Sequence, residues 1–261
     1  MSEQKIRLGG MALPNGVLVH GPNSWACAIR HPDGRLEVAS ARKRFRASSV
    51  NSPLLRGPAR LAEAMAILPL VKRKLPAAQL PMQSPRVVVS MIGAAIAVRG
   101  IRESGRLRPA AQELLSGLLS LAPAALAMRG SELAAYHGAE HISIGTYENG
   151  AGATKEHERC GGHLIGPLVA TSAVGNVLAG LAPERARSRA RAVAQLGALA
   201  ASTEIFGWMT RHPDNLLAQA LSKPGHELQH RLSTAEPSPE QLEVAEAALA
   251  ACLELEHGAD G

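Results

Sequence analysis

The sequence predicts an α+β protein that is mainly helical. A small N-terminal β-hairpin region covers residues 1–56, and an Ala/Leu-rich helical bundle covers residues 57–261. Three observations predict it. Apolar runs bracketed by turn residues stand in the first 41 residues, helical spacing of apolar residues sets in near residue 57, and four apolar stretches follow. Hydrophobic residues make up 46% of the chain but aromatics only 2%, so the core must come from closely spaced helices rather than bulky filler.

Each element has its own signal. Residues 15–21, NGVLVHG, form a short apolar run between turn residues. Residues 25–41, WACAIRHPDGRLEVASA, hold two extended stretches joined by Pro32-Asp33-Gly34, a tripeptide suited to a hairpin turn. The basic ARKRFR at 41–46 reads as a solvated edge in preference to a membrane-facing patch. Pro58 marks a helix start, Leu61, Met65, Ile67 and Leu68 recur at helical spacing, and Lys72, Arg73 and Lys74 complement the dipole of its last turn. Residues 77–85 are a Pro-containing linker. The four apolar stretches are 87–98, 110–128 (carrying Gln112, Glu113 and Pro123), 163–182, and 192–209 (carrying Gln195 and Glu204). The third has no formal charge apart from His163 and approaches the ~20 residues a bilayer crossing requires. Between the last two, PERARSRAR at 183–191 reads as a basic hairpin of the kind retained in the cytoplasm. These stretches fit a membrane bundle and a soluble Ala-rich bundle equally, because aromatic belts are nearly absent. At the tail, Ser238, Pro239 and Gln241 start a helix with a capping box, and Leu242, Ala245, Leu249 and Cys252 line one face.

The charge, 28 − 22 = +6, fits an anionic membrane surface, but no basic run is interleaved with aromatics, so no nucleic-acid partner is expected. Cys27, Cys160 and Cys252 form no disulfide framework, which points to a reducing compartment. The first ten residues lack the apolar core of a secretory signal, so the N-terminal region is expected to be cytoplasmic.

Chemistry concentrates in AAYHGAEHISIGTYENG, residues 134–150. His137-Gly138-Ala139-Glu140-His141 has the pattern H-x-x-E-H, which on a helix turns both imidazoles to one face. This is the inverted zinc-protease motif, whose glutamate serves as general base beside a metal-activated water. A catalytic zinc takes three protein ligands, so a third is needed. His157, Cys160 and His163, three apart, are candidates, and so is Glu204, whose carboxylate would be costly to bury unpaired in an apolar segment. Tyr136, Tyr147, Phe206 and Trp208 fall beside glutamates and suggest a water-excluding pocket. Against this, the motif alone is a weak signal among ten histidines, and Gly138 costs about 1 kcal/mol of helix propensity relative to Ala. Cys160 also reads as a small buried residue, and His226 and His230 read as a surface pair that could supply an outer shell. The metal reading requires the rings of His137 and His141 to turn inward together. Diverging rings, or rings each already bonded to a separate main-chain group, would end the case for a metal.

YHGAEH followed by YE and then H-x-R-C-G resembles the YqhQ-like proteins, a family of unknown function labelled as metal-dependent enzymes. GG-x-A-x-x-x-GV at 9–17, the Arg56-Gly57 pair and residues 228–249 extend the resemblance over nearly the whole chain. It implies a multi-pass protein of the cell membrane, which tips the bundle toward membrane-associated. It implies site residues His137, Glu140, His141, His157, Cys160 and Glu204, with Tyr147-Glu148 matching too. The family pattern has Gln and Glu where this chain has Met11 and Asn15, a departure that bears on catalysis more than on metal binding. Together these readings predict a divalent metal, zinc favoured by imidazole and thiolate with iron and manganese open. The ligands are His137 and His141, completed by His157, Cys160 or Glu204, and Glu140 is the general base of a hydrolytic reaction. The alternative is a non-catalytic metal-binding or scaffold membrane protein with a closed four-ligand shell.

Overall fold

Alternation along the first strands gives the sheet two apolar faces. In the computed structural model, which describes residues 5–43, 47–104, 107–150 and 152–258, β1 (Gly9–Leu13), β2 (Gly16–His20), β3 (Ser24–Arg30) and β4 (Leu36–Arg42) pair antiparallel in sequence order. Val17 and Val19 of β2 share one face with Ala26 and Ala28 of β3, whereas Leu18 shares the other with Trp25, Cys27 and Ile29. All are buried, so both faces are covered, and the strands read as continuous apolar runs. The Pro32-Asp33-Gly34 turn forms as expected, with Gly34 at φ +86° and Arg35 N–H donating to the Asp33 carboxylate at 3.0 Å. β1 lacks such a signal because its paired glycines weaken strand propensity; pairing of Met11 with Leu18 across β2 recruits it.

One face is closed by α1 (Arg56–Lys74), which buries Ile67 and Val71 beneath Trp25 and Ile29. The other is closed by α4 (Glu132–Asn149) and α8 (Pro239–His257) through Tyr136, Ala139, Val244 and Ala248. The sheet and the helices therefore share two cores across the boundary expected at residue 56. The capping box of α8 forms as expected, Gln241 Oε1 accepting from Ser238 N–H at 2.8 Å. Its buried stripe runs through Val244, Ala245, Ala248 and Cys252, rotated from the expected one, with Leu242 and Leu249 at its margins.

The basic stretch at 41–46 departs from a solvated edge. Lys43 is buried and forms an ion pair of 3.0 Å with the equally buried Glu63. Residues 44–46 lie outside the described residues.

The rest of the helical part consists of α2 (Pro85–Glu103), α3 (Pro109–Met128), α5 (Ile165–Gly180), α6 (Glu184–Met209) and α7 (Leu216–Leu228). α2 packs on α3, α5 on α6, and α3 on α5. The basic PERARSRAR segment is the first turns of α6 rather than a hairpin, since Arg and Ala are strong helix formers once Pro183 has set the N-cap. Among the described residues two helices are long and apolar enough to cross a membrane, over Ala111–Met128 and Gly161–Gly180, and only 11% and 22% of these windows is buried. A soluble core helix would be mostly buried. Several polar residues pair across the bundle: Asn176 donates to Glu113 at 2.6 Å, Gln195 of α6 donates to Asn176 at 3.0 Å, and Arg102 of α2 pairs with Glu113, whereas the buried Ser116 hydroxyl of α3 has no partner among the described residues.

Glu256 ties the end of α8 to the start of β3. Its carboxylate accepts from Asn23 N–H, Ser24 N–H, Ser24 Oγ–H and the Asn23 amide at 2.6–3.0 Å. Burial alone would raise its pKa, but these bonds outweigh burial and hold it below the usual value. Glu256→Gln is expected to cost about 2–3 kcal/mol of stability at pH 7, because it weakens several charge-assisted bonds. A depressed folded-state pKa gives stability that is present above the unfolded value of 4.5 and is lost as pH falls through the folded one. Unfolding curves of wild type and variant should therefore separate at pH 7 and converge in acid.

Candidate metal centre

α4 is held at both ends, by Ser131 accepting from Ala134 N–H and by Gly150 in the left-handed region at φ +71°. Between these caps the helix is buried on most of its faces, so its polar residues stand inside the molecule. His137 and His141 lie one turn apart, with ring centroids separated by 4.3 Å. Cys160, just before the tight turn at Gly161–Leu164, brings its sulfur to 3.5 Å from His137 Nε2. One donor atom from each of the three lies within 4.8 Å of the others. A tetrahedral zinc, with bonds of 2.0–2.1 Å to nitrogen and about 2.3 Å to sulfur, separates such donors by about 3.6 Å.

Each ring is bonded to a separate main-chain group, the arrangement expected above to end the metal case; that criterion is too wide, because such a bond bars a metal only where it consumes the nitrogen the metal needs. His137 Nδ1 meets the Ser233 carbonyl at 2.8 Å, and His141 Nδ1 meets the Lys155 carbonyl at 2.6 Å. A carbonyl accepts, so each Nδ1 carries the hydrogen and each Nε2 is left with its lone pair. Metal-binding histidines are oriented in this way. The Ser233 carbonyl is presented by a π-helical turn at Gln229–Ser233, a local widening that recurs at functional sites.

Burial decides the protonation states. It lowers the pKa of His137, and it pulls His141 down to about 3 with His137 contributing, so both imidazoles are neutral at physiological pH. Burial pushes the Cys160 thiol up to about 12. Burial also pushes Glu140 up to about 8. Glu140 is 7% exposed, and among the described residues no hydrogen bond or ion pair reaches its carboxyl group. Gly10 of β1 lies directly against it, where a Cβ would overlap the carboxylate. This is a close approach of strand to helix that only glycine allows. A small cavity of about 160 Å³ is lined by His137, Glu140, His141, Arg159 and Cys160.

The other expected site residues are placed differently. The ring of His157 stands 5.6 Å from that of His141, but both its nitrogens are engaged: Nδ1 accepts from Arg159 N–H at 3.2 Å, and Nε2 meets Glu148 at 3.2 Å. Glu204 is not brought to the cluster. Arg56 grips its carboxylate in a fork, with Nε at 2.8 Å, which relieves the cost of burial that the sequence suggested a cation would relieve. His163 bonds the Ser222 carbonyl and the Gln229 amide. His226 and His230 form the expected surface pair, both beside Glu156. The four aromatics do not gather round one pocket: Tyr136 is in the sheet core, Tyr147 accepts from Ile6 N–H, and Trp208 stacks on His212, whereas Phe206 lines a cavity with His157 and His163. Met11 lines a cavity beside the cluster, whereas Asn15 braces residues 77–79 through bonds of 3.1 and 2.9 Å.

Sequence reasoning assigned no role to Gly10, Arg159 or Gln229. Gln229 is fully buried and accepts from His157 N–H at 2.9 Å while donating to His163, so it fixes the loop that carries Cys160. Their only signals were places in the stretches that carry the resemblance: Gly9-Gly10 in the opening motif, Arg159 in H-x-R-C-G and Gln229 in the closing stretch.

Fold and cluster together define a mainly helical α+β protein in which two imidazoles of a buried helix and the sulfur of a neighbouring loop come together. Residues 130–255 match the model of a family described as "Protein of unknown function (DUF1385)". That span takes in α4 to α8, including His137, Glu140, His141 and Cys160, and leaves the sheet and α1–α3 outside. No curated protein and no solved structure matches the chain.

Proposed function

We propose that this protein is a membrane-bound, metal-dependent enzyme of the hydrolytic class, with a divalent cation on His137, His141 and Cys160. The observation that carries the reading is the converging triangle of donors beside the buried, unpartnered Glu140. The donor set of two imidazoles and one sulfur favours zinc. Such a cation, when bound, would polarise a substrate oxygen and make water a better nucleophile. The chain's own groups do the rest. The Ser233 and Lys155 carbonyls hold the two rings in one tautomer, and Glu140 is placed to take up and return a proton at its carboxylate. The surrounding burial excludes bulk water.

Three donors with His157 engaged elsewhere favour an open shell over the closed shell of a scaffold protein. The resemblance to the YqhQ-like proteins and the two poorly buried apolar helices support a place in the cell membrane. The basic first turns of α6 then lie on the cytoplasmic side.

Elemental analysis of protein purified in detergent tests the reading. About one zinc per chain is expected in wild type and in Glu204→Gln, and none in the His137→Ala/His141→Ala double variant. Wild-type protein without stoichiometric metal, under conditions where zinc is supplied, would overturn it.

A further inference from the structure

A second cavity, of about 540 Å³, opens from the same residues as the small polar one, sharing Gly10, His137, Glu140, Cys160 and Gly161 with it. Beyond them its walls change character. Val87 and Met91 of α2 and Ala124, Ala127 and Met128 of α3 line it, so it is apolar away from the donors. Its volume falls within the roughly 300–1,000 Å³ of cavities that bury a small ligand.

The same two helices form its outer wall, and they turn an apolar surface outward. Val88, Val89, Ile92 and Ile96 of α2 and Leu114, Leu118 and Leu126 of α3 are exposed, and α3 contains one of the two windows long and apolar enough to span a bilayer. Met91 and Ala124, which line the chamber, are themselves exposed, so at one end the chamber opens onto this apolar surface. At the other it meets an unpartnered carboxyl group more than nine-tenths buried.

We propose that this chamber binds the hydrocarbon chain of a single-chain amphiphile drawn from the bilayer, with the polar end turned toward His137, Glu140 and Cys160. The inference rests on the metal-site reading for its chemistry and names the substrate class of that site: a lipid-like molecule whose reacting bond adjoins its head group. A water-soluble substrate has no use for an apolar chamber at the donors. A chain bound merely in the lipid annulus would touch Val89 and Leu126, on the outside, and not Val87 and Leu133, which line the chamber and are buried.

The full chain, reconstituted into phosphatidylcholine vesicles with a small fraction of a palmitic-acid analogue bearing a mid-chain diazirine, is irradiated and its adducts are mapped by mass spectrometry. Adducts are expected on Val87, Met128 or Leu133. Ala124→Phe and Ala127→Trp, which fill the chamber from separate positions, are each expected to reduce this labelling about tenfold or more while annular adducts stay constant. Zinc content is measured on the same samples. Adducts confined to outward-facing positions, or chamber labelling unaffected by both folded variants, overturns the proposal even if zinc is present. Chamber labelling that is lost in the variants, in protein that holds no zinc, upholds the chamber and overturns only the metal reading.

Discussion

Gly138→Ala is expected to destabilise the protein by about 2–3 kcal/mol, against the direction that helix propensity alone dictates. In a free helix the change is worth about 1 kcal/mol of stabilisation. Here the helix crosses the chain at Ala235 so closely that a Cβ at 138 would overlap the Ala235 carbonyl oxygen. Neither side can yield cheaply. The obstacle is backbone, and Ala235 N–H donates to the Ala134 carbonyl at 2.9 Å, so moving the strand-like segment breaks that bond as well. Overpacking of about 1–3 kcal/mol, together with a weakened hydrogen bond of about 1 kcal/mol, exceeds the propensity gain. Gly93→Ala in α2 is the internal control, because nothing stands within 4 Å of a Cβ there. Denaturant or thermal unfolding in one detergent should show the two substitutions moving stability in opposite directions. A stabilising Gly138→Ala would mean that α4 and the 235 segment do not cross as described. Metal content should fall with the displacement as well, since the Ser233 carbonyl that orients His137 is carried on the same stretch of chain.

The same glycine shows where sequence reasoning reaches and where it stops. From the residues alone Gly138 counted against a helical site; its reason for being there is a neighbour 97 positions away in the chain (Ala235), which no local pattern encodes. What is local was legible. The hairpin at Pro32-Asp33-Gly34, the capping box of α8 and the shared face of His137 and His141 follow from turn chemistry and helical spacing. The third donor was legible only as a choice among candidates, because spacing shows which residues can reach a site and not which nitrogens are already taken. His157 is engaged by Arg159 and Glu148, and Glu204 by Arg56, which is 148 positions away. Gly10 was hidden for the same reason as β1. A pair of glycines has no strand propensity of its own, and its purpose appears only when Glu140 is laid across it.

Cys160→Ser should lower zinc affinity by at least about a hundredfold, since outer-shell partners of metal ligands are alone worth roughly 10–100-fold. It should also change how affinity depends on pH. In the metal-free protein the thiol is pushed up to about 12, so it holds its proton throughout the physiological range, yet only thiolate binds zinc. Binding must therefore expel that proton, which by itself makes affinity rise about tenfold per pH unit between pH 6 and 8. The imidazoles add nothing to this slope. Burial holds His141 near 3 and lowers His137, so neither has a proton to lose. Glu140 behaves differently. Pushed up to about 8 by burial, it is mostly protonated below that pH, and a cation arriving beside it favours the carboxylate, so a second proton is released. Titration calorimetry in buffers of different ionisation enthalpy counts these protons. Between one and two should leave per zinc in wild type at pH 7, one in Glu140→Gln, and about one fewer than wild type in Cys160→Ser. Zinc that binds tightly with no proton released would show that the sulfur takes no part, and Cys160 would return to being a small buried side chain beside two hydrogen-bonded histidines.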